Sequence, residues 1–485
     1  FLAVVFLHIS CTSTSGDSGI SGKDGDAEAD LLATDGDVEN VACVDGQKGC
    51  DGASVTICLN GEWLVVADCS ENGWNCEAGG CVAKKTETET EEAYRLGLNE
   101  LRIKNARLNV QLDPYGGWMN APGSLGEPDP GEYFRVKMID GRWWFITPDG
   151  YPLVSKGVTD INYMGPNFQD DEFHQNLVEK YGEEAAWVDA ALDRLHRWGF
   201  NTVGPWSSRS TFERNTHAEP ILNSGMWAPR YNPKDPVADY WSPEFEDYAY
   251  SAAADAAAPY AEDKYLVGFF LDNEMVWGPD WRTDKSLIQL YVAFPVDAPG
   301  RVEVLRFVKE AAADLETFNA TWGTELASWD DLPDLRPGDF SPDTETAVAV
   351  TEDFRVHALH RYATVAVAGL RTVDTHHLVL GCRFAWYPGD NMVLASAQHF
   401  DVISMAGYQG NWVEELDSLG SQLDKPILIE EFTFRAKDSG LPNFLDDVVL
   451  ETQKDRALAY RTYVESFMRR PYAVAYHWYK WIDNP

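Results

Sequence analysis

An α/β fold, a closed (β/α)8 (TIM) barrel preceded by a small disulfide-rich module, is predicted by three observations. Apolar stretches of strand length alternate eight times with stretches of helical spacing. Two of those stretches end in acidic triplets, Asp272-Asn273-Glu274 and Glu430-Glu431-Phe432. Six of the eight cysteines, Cys43, Cys50, Cys58, Cys69, Cys76 and Cys81, crowd into one glycine-studded segment.

The candidate strands are 152–158, 200–206, 220–226, 265–271, 377–384, 401–406, 426–431 and 472–478. Continuous apolar runs such as 265–271 read as strands buried on both faces, as in a parallel sheet covered by helices. Helical spacing lies between them. Val188, Leu192, Leu195 and Trp198 share a face that stops at Gly199, and 353–373 carries Phe354, Ala358, Tyr362, Val365 and Ala366 on another. Alternation implies a parallel sheet, and eight repeats imply closure. A doubly wound sheet would want a glycine-rich phosphate loop after its first strand, and there is none. Ahead of the first strand, Pro148-Asp149-Gly150 predicts a tight turn. The chain given ends at Pro485, directly after strand eight, so the last barrel helix is expected to be missing and apolar surface left bare.

Five segments follow from composition. Residues 1–11 resemble a clipped export signal: Phe1 to Leu7 is apolar but lacks a basic flank, and His8-Ile9-Ser10-Cys11 resembles a lipoprotein box with His8 where Leu is usual. Lipidation at Cys11 and plain secretion both stay open, and seven apolar residues cannot span a bilayer. Residues 12–40 form an acidic linker whose Asp-Gly-Asp pairs lack calcium-loop spacing. Residues 41–83 read as a three-disulfide module in an oxidising compartment; with no Cys-x-x-Cys and no His there, zinc is not expected. Residues 84–109 are a second linker, and 110–485 form the barrel. Cys382, in an apolar strand, is expected to be an inert buried thiol.

Acidic residues number 78 against 39 basic, a formal charge of −39. That field repels nucleic acid and anionic lipid, which makes both poor candidate partners beyond a lipid anchor at Cys11, and suits an extracellular or cell-surface protein acting on neutral or weakly charged substrate. The 18 Trp and 21 Tyr fit a sugar substrate, although most are expected to be core. Asn319-Ala320-Thr321 matches a glycosylation acceptor that chance explains beside a bacterial export signal.

A carboxylate at the C-terminal end of a barrel strand sits where such folds keep their chemistry. Two carboxylates on two strands are what glycosidic bond cleavage requires, one as proton donor and one as nucleophile or base. A lone strand-end Glu is ordinarily a surface residue; joint placement on strands four and seven is what singles out Glu274 and Glu431. Phe269 to Gly278 resembles the strand-four motif of clan A glycoside hydrolases, and Lys425 to Phe434 resembles their strand-seven nucleophile motif. His477 to Asp483 resembles the strand-eight end. With Asp140 to Trp144, Pro148 to Pro152, Trp198 to Thr202 and Leu380 to Phe384, residues 110–485 are similar to glycoside hydrolase family 50, the β-agarases.

That resemblance implies a retaining hydrolase cleaving β-1,4 linkages in agarose or its oligosaccharides. Glu274 would be the acid/base and Glu431 the nucleophile, Asn273 would hold the sugar 2-hydroxyl, and Tyr408 would hydrogen-bond Glu431. His477, Trp478 and Trp206 would line the sugar sites. No cofactor and no metal are implied. Two departures stand out: Glu430 occupies a place usually held by a small residue, and the family's N-terminal β-sandwich is replaced by the cysteine-rich segment. Because successive strand residues face opposite sides, only one of Glu430 and Glu431 is expected at the substrate. The alternatives are another clan A activity, such as a β-galactosidase or other algal-galactan hydrolase, and a non-catalytic surface sugar-binding protein, which would have no need of the carboxylate pair.

Overall fold

The computed structural model describes residues 110–165, 171–213, 215–217, 222–408, 412–419, 422–439 and 449–482, and, nearer the N-terminus, five strands. Those five are β1 Lys48–Asp51, β2 Ser54–Leu59, β3 Glu62–Asp68, β4 Trp74–Glu77 and β5 Gly80–Ala83. They pair antiparallel as β1-β2-β3 and β4-β5. Cys50 is disulfide-bonded; the side chains of the other clustered cysteines, the two linkers and the export signal lie outside the described residues.

An antiparallel hairpin comes next, β6 Arg135–Ile139 and β7 Arg142–Ile146, joined by β8 Pro152–Leu153. The Pro-Asp-Gly turn lies where the sequence placed it, with Gly150 at φ 96° and its N–H on the Thr147 carbonyl. The remaining strands are β9 Ser155–Val158, β10 Thr202–Val203, β11 Gly268–Phe269, β12 Leu378–Val379, β13 Ile403–Ala406, β14 Ile427–Phe432, β15 Arg435–Ala436, β16 Val449–Leu450 and β17 Ala473–Trp478. All pair in parallel, in the order β10-β9-β17-β14-β13, with β11-β12 and β15-β16 alongside. Single-residue bridges join Val203 to His217, His217 to Leu266, and Phe384 to Met405. The fold is therefore α/β with a parallel sheet.

The helices lie between successive strands, and several of them begin on side-chain caps. Ser242 caps Pro243–Ala257 by accepting from Phe245 N–H at 3.1 Å, and Thr344 caps Glu345–Arg371 by accepting from Ala347 N–H at 3.0 Å. Glu184–Arg197 ends at Gly199, whose φ of 85° stops it where the sequence indicated.

Side chains alternate between two cores. Val267, Phe270, Leu378, Leu380, Val402, Leu428 and Val474 pack among themselves with Phe134, just before the hairpin, and Phe145 within it. Phe269, Val379, Ile403, Ile427, Ile429 and Ala473 pack beneath the helices. A sheet buried on both faces explains why its strands read as unbroken apolar runs.

One expected strand needs correcting. Of the expected strand 220–226, residues 220 and 221 lie outside the described residues and 222–226 form no strand; a pairing beside it is made by His217, and Leu222 and Ser224 donate to the carbonyls of Phe270 and Leu271 at 2.9 and 3.0 Å. Asn223 turns left-handed at φ 53°, and Asp272 draws off the N–H groups of Gly225 and Met226 at 2.7 Å each. Those donors would otherwise have continued a ladder.

Candidate active site

Every residue singled out at a strand end lies on or just past the C-terminal end of a parallel strand: Trp206 after β10, Asn273 and Glu274 after β11, Tyr408 after β13, Glu431 within β14, His477 and Trp478 closing β17. Three of the non-glycine residues with left-handed backbone meet here, Trp206 at φ 67°, Glu274 at 46° and Arg383 at 53°. Such conformations cost about 1–3 kcal/mol each and cluster where function holds them.

Arg383, for which the sequence suggested no role beyond membership of a motif, is the hub. It is fully buried and donates from Nε to Asn273 Oδ1 at 2.6 Å and from Nη2 to Glu431 Oε1. The same Nη2 lies 2.8 Å from Glu430 Oε2, and the Arg383 carbonyl accepts from Glu274 N–H at 2.9 Å. Burial opposes its charge, but Glu430, Glu431 and Glu274 hold its pKa above the usual arginine range. A buried arginine in an otherwise apolar strand was the one signal available, since such a cation must be paired with carboxylates.

Glu431 accepts from three directions: Arg383, Trp206 Nε1 at 3.2 Å and Tyr408 O–H at 2.5 Å. Tyr408 is itself held neutral, its pKa pushed far up by burial and the adjacent Glu431 charge.

Regular strand alternation breaks at this point. Leu428 faces the inner core and Ile429 the helices, so regular alternation would turn Glu430 inward and Glu431 outward. Instead the ladder shifts: Met405 pairs Ile429 but Ala406 pairs Glu431, and the β14-β17 register slips between Ile429 and Phe432. The bulge turns both carboxylates onto Arg383 and returns Phe432 to the helix side. They differ in depth. Glu430 is fully buried, 2.8 Å from Arg383 Nη2 but without hydrogen-bond geometry on either oxygen, and burial drives its pKa far up while Arg383 opposes.

Glu274 faces this cluster with its pKa raised from 4.5 to about 7, first by burial and then by the charge of Glu431, with Arg383 and Arg282 opposing. The site thus holds one carboxyl that keeps its proton near neutrality and another surrounded by donors. That separation of roles is what acid–base chemistry at two carboxyls needs.

The other sugar-lining candidates divide. Trp206 touches Glu431 directly. Trp478 is partly buried, edge-on to Phe432 at 5.5 Å with Arg456 over its face. His477 is fully buried and meets Ser155 Oγ at 3.0 Å, so it sits beneath the site and not on its surface. Burial and Arg383 lower its pKa to about 3, so it stays neutral. A Cβ on Gly157 would fall 2.4 Å from the His477 ring, so glycine there makes room for it. Asp272 is structural: its carboxyl turns away to Gly225, Met226 and Tyr362. Cys382 is a free, buried thiol. Among the described residues no cluster of His, Cys, Asp and Glu is arranged to hold a metal ion.

No family model matches the chain. Two curated proteins of Vibrio sp. (strain JT0107) do: beta-agarase B, 26% identical over 82% of this chain and 49% of its own length, and beta-agarase A, 27% identical over 84% and 47%. The chain spans about half the length of these curated relatives. Solved structures share the fold: the agarase AgWH50C at TM-score 0.64 and 23% identity, covering 86% of this chain and 67% of that one, and PfGH50B at 0.66 and 23%, covering 89% and 71%. The resemblance therefore extends over most of the chain, in sequence to two proteins named beta-agarases and in fold to AgWH50C and PfGH50B.

Proposed function

We propose that residues 110–485 form a closed (β/α)8 barrel that hydrolyses β-1,4 galactosidic linkages in agarose or its oligosaccharides by double displacement. Closure is supported by the run of parallel pairings from β9 through β10, His217, Leu266 and β11-β12, and from Phe384 through β13, β14 and β17 back to β9. The activity rests above all on the pairing of Glu274, whose carboxyl pKa burial and the Glu431 charge push up to about 7, with Glu431, a carboxylate gripped by three donors. The substrate class is taken from what the relatives are, two beta-agarases.

In the first step Glu274 gives its proton to the departing glycosidic oxygen while Glu431 attacks the anomeric carbon, forming a glycosyl-enzyme ester. Arg383, Trp206 and Tyr408 hold the attacking oxygens in place. Arg383 occupies the Asn273 amide oxygen, which leaves the amide N–H2 to donate to the 2-hydroxyl of the sugar. In the second step Glu274, now ionised, takes a proton from water as that water displaces Glu431, restoring the original anomer. The export-signal-like residues 1–11 and the cysteine-rich segment 41–83 support action outside the cell or at its surface.

Incubation with agarose, porphyran, carrageenans and aryl β-galactosides, followed by NMR of the first product, tests this. Cleavage of agarose with the β-anomer appearing first is expected. The α-anomer would overturn the retaining mechanism, and inertness toward every agaro-oligosaccharide would overturn the substrate.

A further inference from the structure

The loop that carries Glu274 continues as Met275, Trp277, Asp280, Trp281 and Arg282, and the segment after Arg383 continues as Phe384 and Trp386. Between these two loops lies a cavity of about 450 Å3, walled by Met275, Trp277, Phe384 and Trp386 and closed from the side by Thr351 and Arg355 of the long helix Glu345–Arg371. Trp386, which lines it, is 45% exposed, and Trp281 beside Trp386 is 63% exposed. Their rings meet edge to face at 5.2 Å, and the Arg282 guanidinium stacks on Trp281 at 4.2 Å. Open indole faces locked by stacking suit the apolar faces of pyranose rings and lose little freedom on binding.

The charges there define what would bind. Arg282 is committed to Asp280 Oδ2 at 2.7 Å and to the Glu274 carbonyl; Arg355 is committed to the carbonyls of Trp277 and Pro388 at 2.9 and 3.1 Å and to Glu352. Neither lining guanidinium is left over for an anion. Three acidic residues, Asp280, Glu352 and Glu415, outnumber the two arginines in the lining. A sulfated chain would be repelled.

We infer that this cavity and its Trp281–Trp386 rim form a distal subsite for uncharged galactose-type units on the leaving-group side, selecting neutral over sulfated galactans. The leaving-group side follows from Glu274, which protonates the departing oxygen and whose own loop builds the wall, so the inference rests on the proposed hydrolase activity.

The test replaces Trp281 and Trp386 with alanine, singly and together; both side chains are exposed, so the fold tolerates their loss. The double variant should raise KM about tenfold or more for neutral oligosaccharides of six or more units, with a far smaller change for a one-sugar aryl β-galactoside. Separately, titration of the Glu431→Ala protein with the same neutral oligosaccharides, followed by tryptophan fluorescence, should show binding that the added Trp281→Ala and Trp386→Ala changes weaken. A sulfated oligosaccharide of equal length should bind more weakly than the neutral one. Unchanged KM for long chains, unchanged binding, or tighter binding of the sulfated chain would overturn the subsite. If the unaltered protein cleaves no galactan while the tryptophan changes still weaken binding, the hydrolase activity and the leaving-group assignment fall and only a site for neutral sugar remains.

Discussion

Glu274→Gln isolates the proton on which the first chemical step depends. With its pKa at an ordinary 4.5, about one molecule in 300 would hold that proton at pH 7; at about 7, half do. The displacement amounts to about 3 kcal/mol against ionisation, supplied by burial and by Glu431. Because the protonated form is the active one, kcat/KM should fall as pH rises through about 7. Glutamine keeps the shape but has no proton to give, so turnover of a substrate with a poor leaving group should drop by roughly 10^2 to 10^4. An aryl galactoside with an acidic phenol should suffer much less in its first step, and its rate should lose the basic limb near 7. Steady-state kinetics from pH 5 to 9 on both substrates measure this. A basic limb near 7 that survives in Glu274→Gln, or equal losses on the two substrates, would refute the assignment of Glu274 as proton donor.

Azide separates the remaining carboxylates. Glu431→Ala should be rescued to the α-glycosyl azide and Glu274→Ala to the β-azide, as judged by NMR of the product, whereas an α-azide from Glu430→Ala would pass the nucleophile role to Glu430. Glu430→Gln should leave the fold intact and raise Tm. The Glu430 pKa is raised on folding, so wild-type stability is fully present at low pH and is lost as pH rises; the gain in Tm should therefore be larger at pH 8 than at pH 5, and a gain that shrinks with pH would contradict a Glu430 pKa raised by burial. Gly157→Ala places a methyl 2.4 Å from the His477 ring and should cost about 1–3 kcal/mol in urea unfolding; a neutral result would mean that His477 moves freely.

Much of the fold was legible because parallel strands buried on both faces leave long apolar runs, and because helix stops such as Gly199 are chemically explicit. The third strand was misjudged because, among the described residues, its bridges are made through His217, while the 222–226 stretch is broken by a left-handed Asn223 and by Asp272 taking its donors. At the site, Glu274 and Glu431 could be read from strand-end position. Arg383 could not, since its role depends on contacts with Asn273 and Glu431, residues about 110 and 48 positions away. The facing of Glu430 and Glu431 was hidden for a related reason: a bulge is a property of the neighbouring ladders, β13 and β17, and leaves no mark in the strand that carries it. Glu431 is the better-placed carboxylate, but regular strand geometry would have pointed it outward.

Trapping the glycosyl-enzyme tests the central assignment most directly. A 2-deoxy-2-fluorogalactoside with an activated leaving group slows both steps and the second more, so the ester should accumulate and peptide mass mapping should find the sugar on Glu431. A label on Glu430, or time-dependent turnover with no covalent label at all, would contradict it.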